Sequence, residues 1–272
     1  LKAAGINRLS FGLQSSNERE LSALGRIHSP KEAAETVKSA QSAGFDNISL
    51  DLMLGIPYQT EETLLESIDF CASLGVQHIS SYMLKIEEGT PLSKSELRFL
   101  CADEEKVSDF YLFACEELSK RGFEQYEISN FSRIGFESKH NLNYWKRGEY
   151  IGVGVSASSF MQGKRFTNTF DLDEYMKCII SGFYPAVTSE EVNTDDAKFE
   201  FIMLALRTSA GVDMNAYKQA FGTSLAEDFP NALKKTVSYL ELDGDFIRIK
   251  DEYLYVQNSI LMPFMEEERA KN

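Results

Sequence analysis

Short apolar runs alternate with amphipathic stretches along the first half of the chain, and each amphipathic stretch is closed by a glycine. The apolar runs are residues 6–13, 47–54, 78–84 and 124–128, and their length and spacing predict strands. The stretch opening with Ser29-Pro30-Lys31-Glu32 reads as a helix in which Ser29 caps, Pro30 fits the first turn and Glu32 completes a capping box, with Gly44 ending it. A second helix is predicted from Thr60, with Glu61 and Glu62 at its positive end and Gly75 closing it. A third runs from about Asp103 to Lys120. Strand, loop, helix and glycine in repetition is the sequence form of βα units, which predicts parallel neighbours in chain order with helices outside. Four such units do not close an eight-stranded barrel, so an open or partial (β/α) TIM-like barrel is expected. Leu1-Lys2-Ala3-Ala4-Gly5 reads as the last turn of a helix feeding the first strand, from which we expect earlier elements of the same sheet.

The pattern changes after residue 128. Residues 129–169 are irregular and rich in Gly, Ser, Asn and aromatics, as functional loops are. Beyond them helices are predicted over 194–207, 213–221 and 225–242, followed by a hairpin of 246–249 and 253–256 turning at Asp251-Glu252. That order resembles a winged helix. The fold class is therefore α/β: a barrel portion with its loop region over residues 1–170, and a mostly helical, winged-helix-like accessory domain over 171–272.

Composition narrows the function. The 272 residues are 43% hydrophobic and carry a formal charge of −14, which repels nucleic-acid backbones and anionic lipid head groups. Residues 193–272 hold 9 basic against 14 acidic side chains, so the winged-helix-like part is not expected to bind DNA. No apolar run approaches the roughly 20 residues that span a bilayer, and no secretory signal opens the chain, which predicts a cytoplasmic protein. The four cysteines, Cys71, Cys101, Cys115 and Cys178, lie at least 14 positions apart and form no local metal clip; reduced thiols packed in helices are expected.

In α/β barrels the working groups stand at the C-terminal ends of strands. Gln14 closes the first strand, Arg26 lies in the loop beyond it, and Asp51 interrupts the run Ile48-Ser49-Leu50-Asp51-Leu52-Met53-Leu54. A carboxylate among apolar residues needs a partner. Spacing alone leaves two readings open: an Asp51–Arg26 ion pair, or a ligand site.

Five ordered segments carry a resemblance. Gly5-Ile6-Asn7-Arg8-Leu9-Ser10-Phe11-Gly12-Leu13-Gln14-Ser15, Leu24-Gly25-Arg26-Ile27-His28-Ser29 and Asp51-Leu52-Met53-Leu54-Gly55-Ile56-Pro57 resemble successive barrel motifs of the radical S-adenosylmethionine, oxygen-independent coproporphyrinogen III oxidase-like family. Tyr82-Met83-Leu84-Lys85-Ile86-Glu87-Glu88-Gly89-Thr90-Pro91-Leu92 and Tyr126-Glu127-Ile128-Ser129-Asn130-Phe131 resemble the next two. The resemblance implies that Gln14, Arg26 and Asp51 bind S-adenosylmethionine, with Lys85 and Ser158 as further cofactor contacts. Ser158 falls in Ile151-Gly152-Val153-Gly154-Val155-Ser156-Ala157-Ser158-Ser159, which is similar to the family segment bordering the nucleoside; a barrel strand is the alternative reading. An Arg fork for a carboxylate and acceptors for an ammonium and hydroxyls suit such a ligand.

The family's CxxxCxxC motif has no counterpart here, so the resemblance places a 4Fe-4S cluster in the intact parent only, and radical chemistry is not expected of this chain. His140-Asn141-Leu142-Asn143-Tyr144-Trp145 resembles the HNxxYW element of the family's heme-chaperone branch, which implies heme as cargo and His140 as ligand to its iron; a surface or capping histidine in a loop is the alternative. His28 and His78 read as structural. The expected function is a heme- and S-adenosylmethionine-binding heme chaperone whose partners are heme or a porphyrin and heme-acceptor proteins. Two rivals are a coproporphyrinogen III oxidase of porphyrin biosynthesis, active only as the intact parent, and a non-catalytic interaction module.

Overall fold

Capping chemistry sets the helix boundaries where the sequence places them. The computed structural model describes residues 1–270, which form two compact units, Leu1–Glu137 and the remainder from Ser138. In the first unit β1 (Leu9–Gln14) leads through α1 (Glu18–Ala23) to α2 (Pro30–Ser42), and β2 (Ile48–Leu54) is followed by α3 (Glu61–Ser73). Both halves of the Ser29/Glu32 capping box are made, and Gly44 takes the left-handed conformation that ends α2. Thr60 caps α3, with Thr63 completing its box. Next come β3 (His78–Met83), a short α4 (Pro91–Lys94) and α5 (Glu104–Lys120), capped by Asp103. The hairpin β4 (Glu124–Glu127) and β5 (Asn130–Ser132) completes the unit.

The sheet order is β1-β2-β3-β5-β4, with β1, β2 and β3 parallel neighbours as expected. The fourth expected strand is not the neighbour of the third. β5 inserts between them, antiparallel to both. Glu127 explains the insertion: one carboxylate oxygen accepts from Asn130 Nδ2 and the other from the Ser129 amide at 3.2 Å, so the side chain clamps a turn that contains no glycine. Register divides the sheet into two chemically distinct faces. Phe11, Leu50, Ile79 and Phe131 stand in one row, and Leu13, Ile48, Leu52 and Leu54 share their apolar face, which α2, α3 and α5 cover. Full burial of each such side chain contributes roughly 1.5–3 kcal/mol. The opposite face is polar.

The second unit begins with α6 (Lys139–Trp145), then β6 (Ser158–Met161), β7 (Lys164–Asn168), α7 (Leu172–Ile180) and β8 (Ala186–Glu191), whose strands pair antiparallel in the order β6-β7-β8. Residues 129–169 are thus more regular than their composition predicts. After α8 (Thr194–Ala205), β9 (Val212–Asp213) and α9 (Met214–Phe221), the expected helix over 225–242 is broken: Pro230 separates α10 (Leu225–Asp228) from α11 (Pro230–Thr236), and residues 240–243 belong to a strand. The hairpin is β10 (Leu240–Asp243) with β11 (Phe246–Ile249), not 246–249 with 253–256. Gly244, at φ 59° in the first position of the two-residue loop, supplies the positive φ that such a tight hairpin needs. Residues 251–256 form a 3₁₀ turn leading into α12 (Gln257–Arg269).

Candidate functional site

The polar face of the first unit is built by strand alternation. Gly12, Asp51, Ser80 and Asn130 lie in one register row across β1, β2, β3 and β5, and Ser49, His78 and Ser132 lie in the row two residues earlier. Asp51 is partly buried; its Oδ1 accepts from Ser10 Oγ at 3.2 Å, and Ser80 supplies a further hydrogen bond. Burial pushes its carboxyl above the usual range, against the opposing pull of Ser80, Ser10, Arg8 and Arg26. No Asp51–Arg26 salt bridge forms. Arg26 is exposed and acts on Asp51 only through its field. Its loop is tied back by His28, whose Nε2 lies 3.2 Å from the Leu13 carbonyl.

Gln14 ends β1 at φ 72°, beyond a register shift between Gly12 and Gln14. Its side chain folds back over Gly12: a Cβ built on that glycine would stand 2.7 Å from Gln14 Nε2. The amide therefore occupies the space above Gly12, in the row that also holds Asp51. The loop after it is anchored from within, since Ser15 Oγ donates to the buried Glu20 at 2.6 Å and the Ser16 amide donates to Ser67 Oγ at 3.0 Å. Lys85 stands apart from these groups in an exposed ion pair with Glu87 at 2.9 Å.

In the second unit His140 is exposed in the first turn of α6, a helix capped by Ser138, where an irregular loop was expected. Four residues on, Tyr144 meets it edge to face at 4.8 Å between ring centroids, and Tyr150 in turn meets Tyr144 edge to face at 4.7 Å. The far end of α6 is held by Arg147, which bonds Glu200 at 2.9 Å and lies over the Phe160 ring. Ser158 lies on β6, antiparallel to β7 and so not in a parallel barrel strand; its hydroxyl pairs with Thr167 at 3.0 Å. Its carbonyl closes on Gly152, where a Cβ would stand 2.3 Å from the oxygen. A cavity of about 440 Å³ opens beside this segment, lined by Ile151, Val153, Asn168, Tyr175 and Phe183 among others.

Comparison with known proteins identifies the frame of this geometry. Residues 1–71 match the radical SAM superfamily and residues 192–255 the HemN C-terminal domain. The chain is 37% identical over 238 residues to the heme chaperone HemW of Bacillus subtilis, covering 86% of this chain and 62% of that protein. It is 33% identical over 275 residues to the heme chaperone HemW of Escherichia coli, covering 97% of this chain and 70% of the relative. The chain belongs to the HemW family. Among solved structures, coproporphyrinogen III oxidase (HemN) from Escherichia coli superposes with a TM-score of 0.81 at 19% identity, over 97% of this chain and 65% of that one. At that identity the likeness shows the fold, a HemN-like radical SAM fold with a parallel-strand sheet. The chain spans 62% of the length of the Bacillus relative.

Within this HemW-family chain, sequence reasoning missed Ser10, Ser80 and Asn130. Their signal was the period-two alternation that puts Ser10 with Gly12 and Ser80 with Asp51 on one face, legible only once register is known. His78 is structural, as expected. It is buried between Ser49 Oγ, 2.7 Å from Nδ1, and Tyr126 Oη, 2.8 Å from Nε2. Burial, with the field of Arg8, lowers its pKa to about 3. Its folded-state pKa lies below the unfolded value of 6.5, so the stability it contributes is complete above pH 6.5 and is lost as pH falls toward 3, by at most roughly 4–5 kcal/mol. Asp51 and Glu127, both raised by burial, titrate in the opposite sense. Urea unfolding of the first unit between pH 7 and 5 should therefore show falling stability in the wild type and a flatter profile in His78→Gln; equal slopes would remove His78 as the cause.

Proposed function

We propose that the chain works as a heme chaperone of the HemW type, binding S-adenosylmethionine on the polar face of its first unit and heme through His140 in its second. The observation that carries this reading is the exposed His140 imidazole ranged on one helix face with Tyr144, in a family whose relatives bear the chaperone name. An imidazole offers an axial ligand for heme iron, and an aromatic neighbour offers a porphyrin a packing surface. An exposed site also suits release to a heme-acceptor protein. The oxidase reading has less support, because the likeness to HemN is one of fold at 19% identity, whereas the relatives from Bacillus subtilis, Lactococcus lactis and Escherichia coli, at 30–37% identity, are named heme chaperones. No observation favours a bare interaction module.

The residues of the first unit fit S-adenosylmethionine. Gln14, folded over Gly12, presents an amide, Asp51 presents a partly exposed carboxylate for an ammonium or ribose hydroxyl, and Arg26 is a free-standing cation for the ligand carboxylate. Lys85 is retained as an outer contact. When bound, the sulfonium cofactor supplies an activated carbon–sulfur bond; the chain's own residues hold and orient it. A 4Fe-4S cluster does not fit this chain: it has no CxxxCxxC run, Cys71 is fully buried, and no three His, Cys, Asp or Glu converge among the described residues. No step is routed through one.

The partial-barrel reading of the first unit is supported by the parallel β1-β2-β3 sheet, and the winged-helix reading of residues 171–272 by the helices preceding β10 and β11. The four free thiols accord with a reducing cytoplasm. No described helix is long and apolar enough to cross a membrane. Titration with heme tests the proposal. Wild type should give an axial-histidine Soret band, and His140→Ala should lose that signature with affinity weakened by about 10-fold or more. Matching spectra and affinities would place heme binding elsewhere.

A further inference from the structure

We infer that Asn130 is a further ligand-contacting residue on the polar face of the first unit, its side-chain carbonyl accepting from a donor group of the small molecule held by Gln14 and Asp51. The inference rests on the proposed S-adenosylmethionine site and extends it across β3 to β5. Asn130 is 4% exposed and pairs in register with Ser80, which pairs with Asp51 and hydrogen-bonds to it, so all three side chains share one face.

The two ends of the Asn130 amide have different fates. Nδ2 donates to Glu127, whose other oxygen is taken by the Ser129 amide. That bond fixes which way the amide points, because turning it over would set two oxygens against each other. Oδ1 is buried and has no hydrogen-bond partner in the protein. A buried acceptor left open beside a row of polar groups calls for an explanation, and a ligand donor supplies one. Two strand spacings separate Asn130 from Asp51, roughly 10 Å. An amino acid joined to a nucleoside carries donors that far apart, the ammonium at one end and the adenine amine at the other, so one molecule can reach both residues.

Calorimetric titration with S-adenosylmethionine separates this role from a structural one. Asn130→Ala should weaken binding about 10-fold, whereas Glu127→Asp, which shortens the hairpin clamp but keeps an acceptor-only carboxylate facing Nδ2, should bind within about 2-fold of wild type. Asn130→Ser, keeping a hydroxyl for Glu127, serves should the alanine variant not fold, and the same loss is expected of it. Equal losses in the Glu127 and Asn130 variants would assign the effect to the hairpin and overturn the inference, as would unchanged affinity in the Asn130 variants. Absence of binding by the wild type would instead refute the S-adenosylmethionine reading itself, and this inference with it.

Discussion

Replacing Asp228 with alanine is expected to destabilise the second unit by about 3–5 kcal/mol, because it strands a buried cation. Asp228 Oδ1 lies 2.7 Å from Lys198 Nζ, and both side chains are about nine-tenths buried. Its Oδ2 accepts from Tyr217 Oη at 2.9 Å and from Thr223 Oγ1 at 2.5 Å. Burial alone would raise this carboxyl, but the bonds from Lys198, Thr223 and Tyr217 outweigh it and hold the pKa below its ordinary value. Because the folded-state pKa is depressed, the contribution is present above the usual aspartate range and is lost as pH falls through the folded value. The single tryptophan, Trp145, lies in this unit, so its fluorescence reports the unfolding transition. Asp228→Asn should lose less than alanine, since the amide retains one acceptor. The double variant Lys198→Met/Asp228→Leu should recover part of the loss, because it leaves no charge without a partner although the Tyr217 and Thr223 hydroxyls lose their acceptor. A loss below about 1 kcal/mol in Asp228→Ala would mean that Lys198 finds water or another acceptor.

That cluster could not be read from the sequence: Lys198 and Asp228 are 30 residues apart on different helices, and neither stands in a pattern marking it as buried. What could be read was local chemistry. The Ser29 and Asp103 caps, the left-handed Gly44 and Gly75 and the strands they bracket follow from interactions within a few residues, and the helices begin within a residue or two of their expected starts. The errors share a cause. β5 is three residues long and its turn is clamped by the Glu127 side chain, so no glycine or proline announces it. The Asp243-Gly244 turn does carry such a signal, but the Leu-rich spacing around it fits a helix period equally well. At the site, the carboxylate within an apolar strand marked Asp51, yet its partners proved to be serines on neighbouring strands and not Arg26. Partner choice depends on register, and register on the whole sheet.

The same serines make Asp51→Asn the sharpest test of whether Asp51 serves a ligand or the fold. Burial disfavours the Asp51 charge, and no cation pairs with it directly. A residue kept in that state is held against the preference of its surroundings, as functional groups often are. Asparagine has the same shape, and its amide can accept from Ser10 and donate to the Ser80 hydroxyl, so the local hydrogen bonds survive the exchange. Removing the disfavoured charge should leave the first unit as stable as wild type at neutral pH, or more stable by about 0.5–1 kcal/mol. Ligand binding should move the other way. A hydrogen bond between charged groups is worth about 1.5–3 kcal/mol, so the affinity for S-adenosylmethionine should fall roughly 10- to 100-fold. Thermal unfolding and calorimetric titration of the same sample read the two quantities independently. Stability retained with affinity lost assigns Asp51 to the ligand, because a structural carboxylate cannot be neutralised without cost to the fold. The converse, a destabilised variant that binds S-adenosylmethionine as wild type does, would make Asp51 a strut between β1 and β3 and move the ligand away from this row.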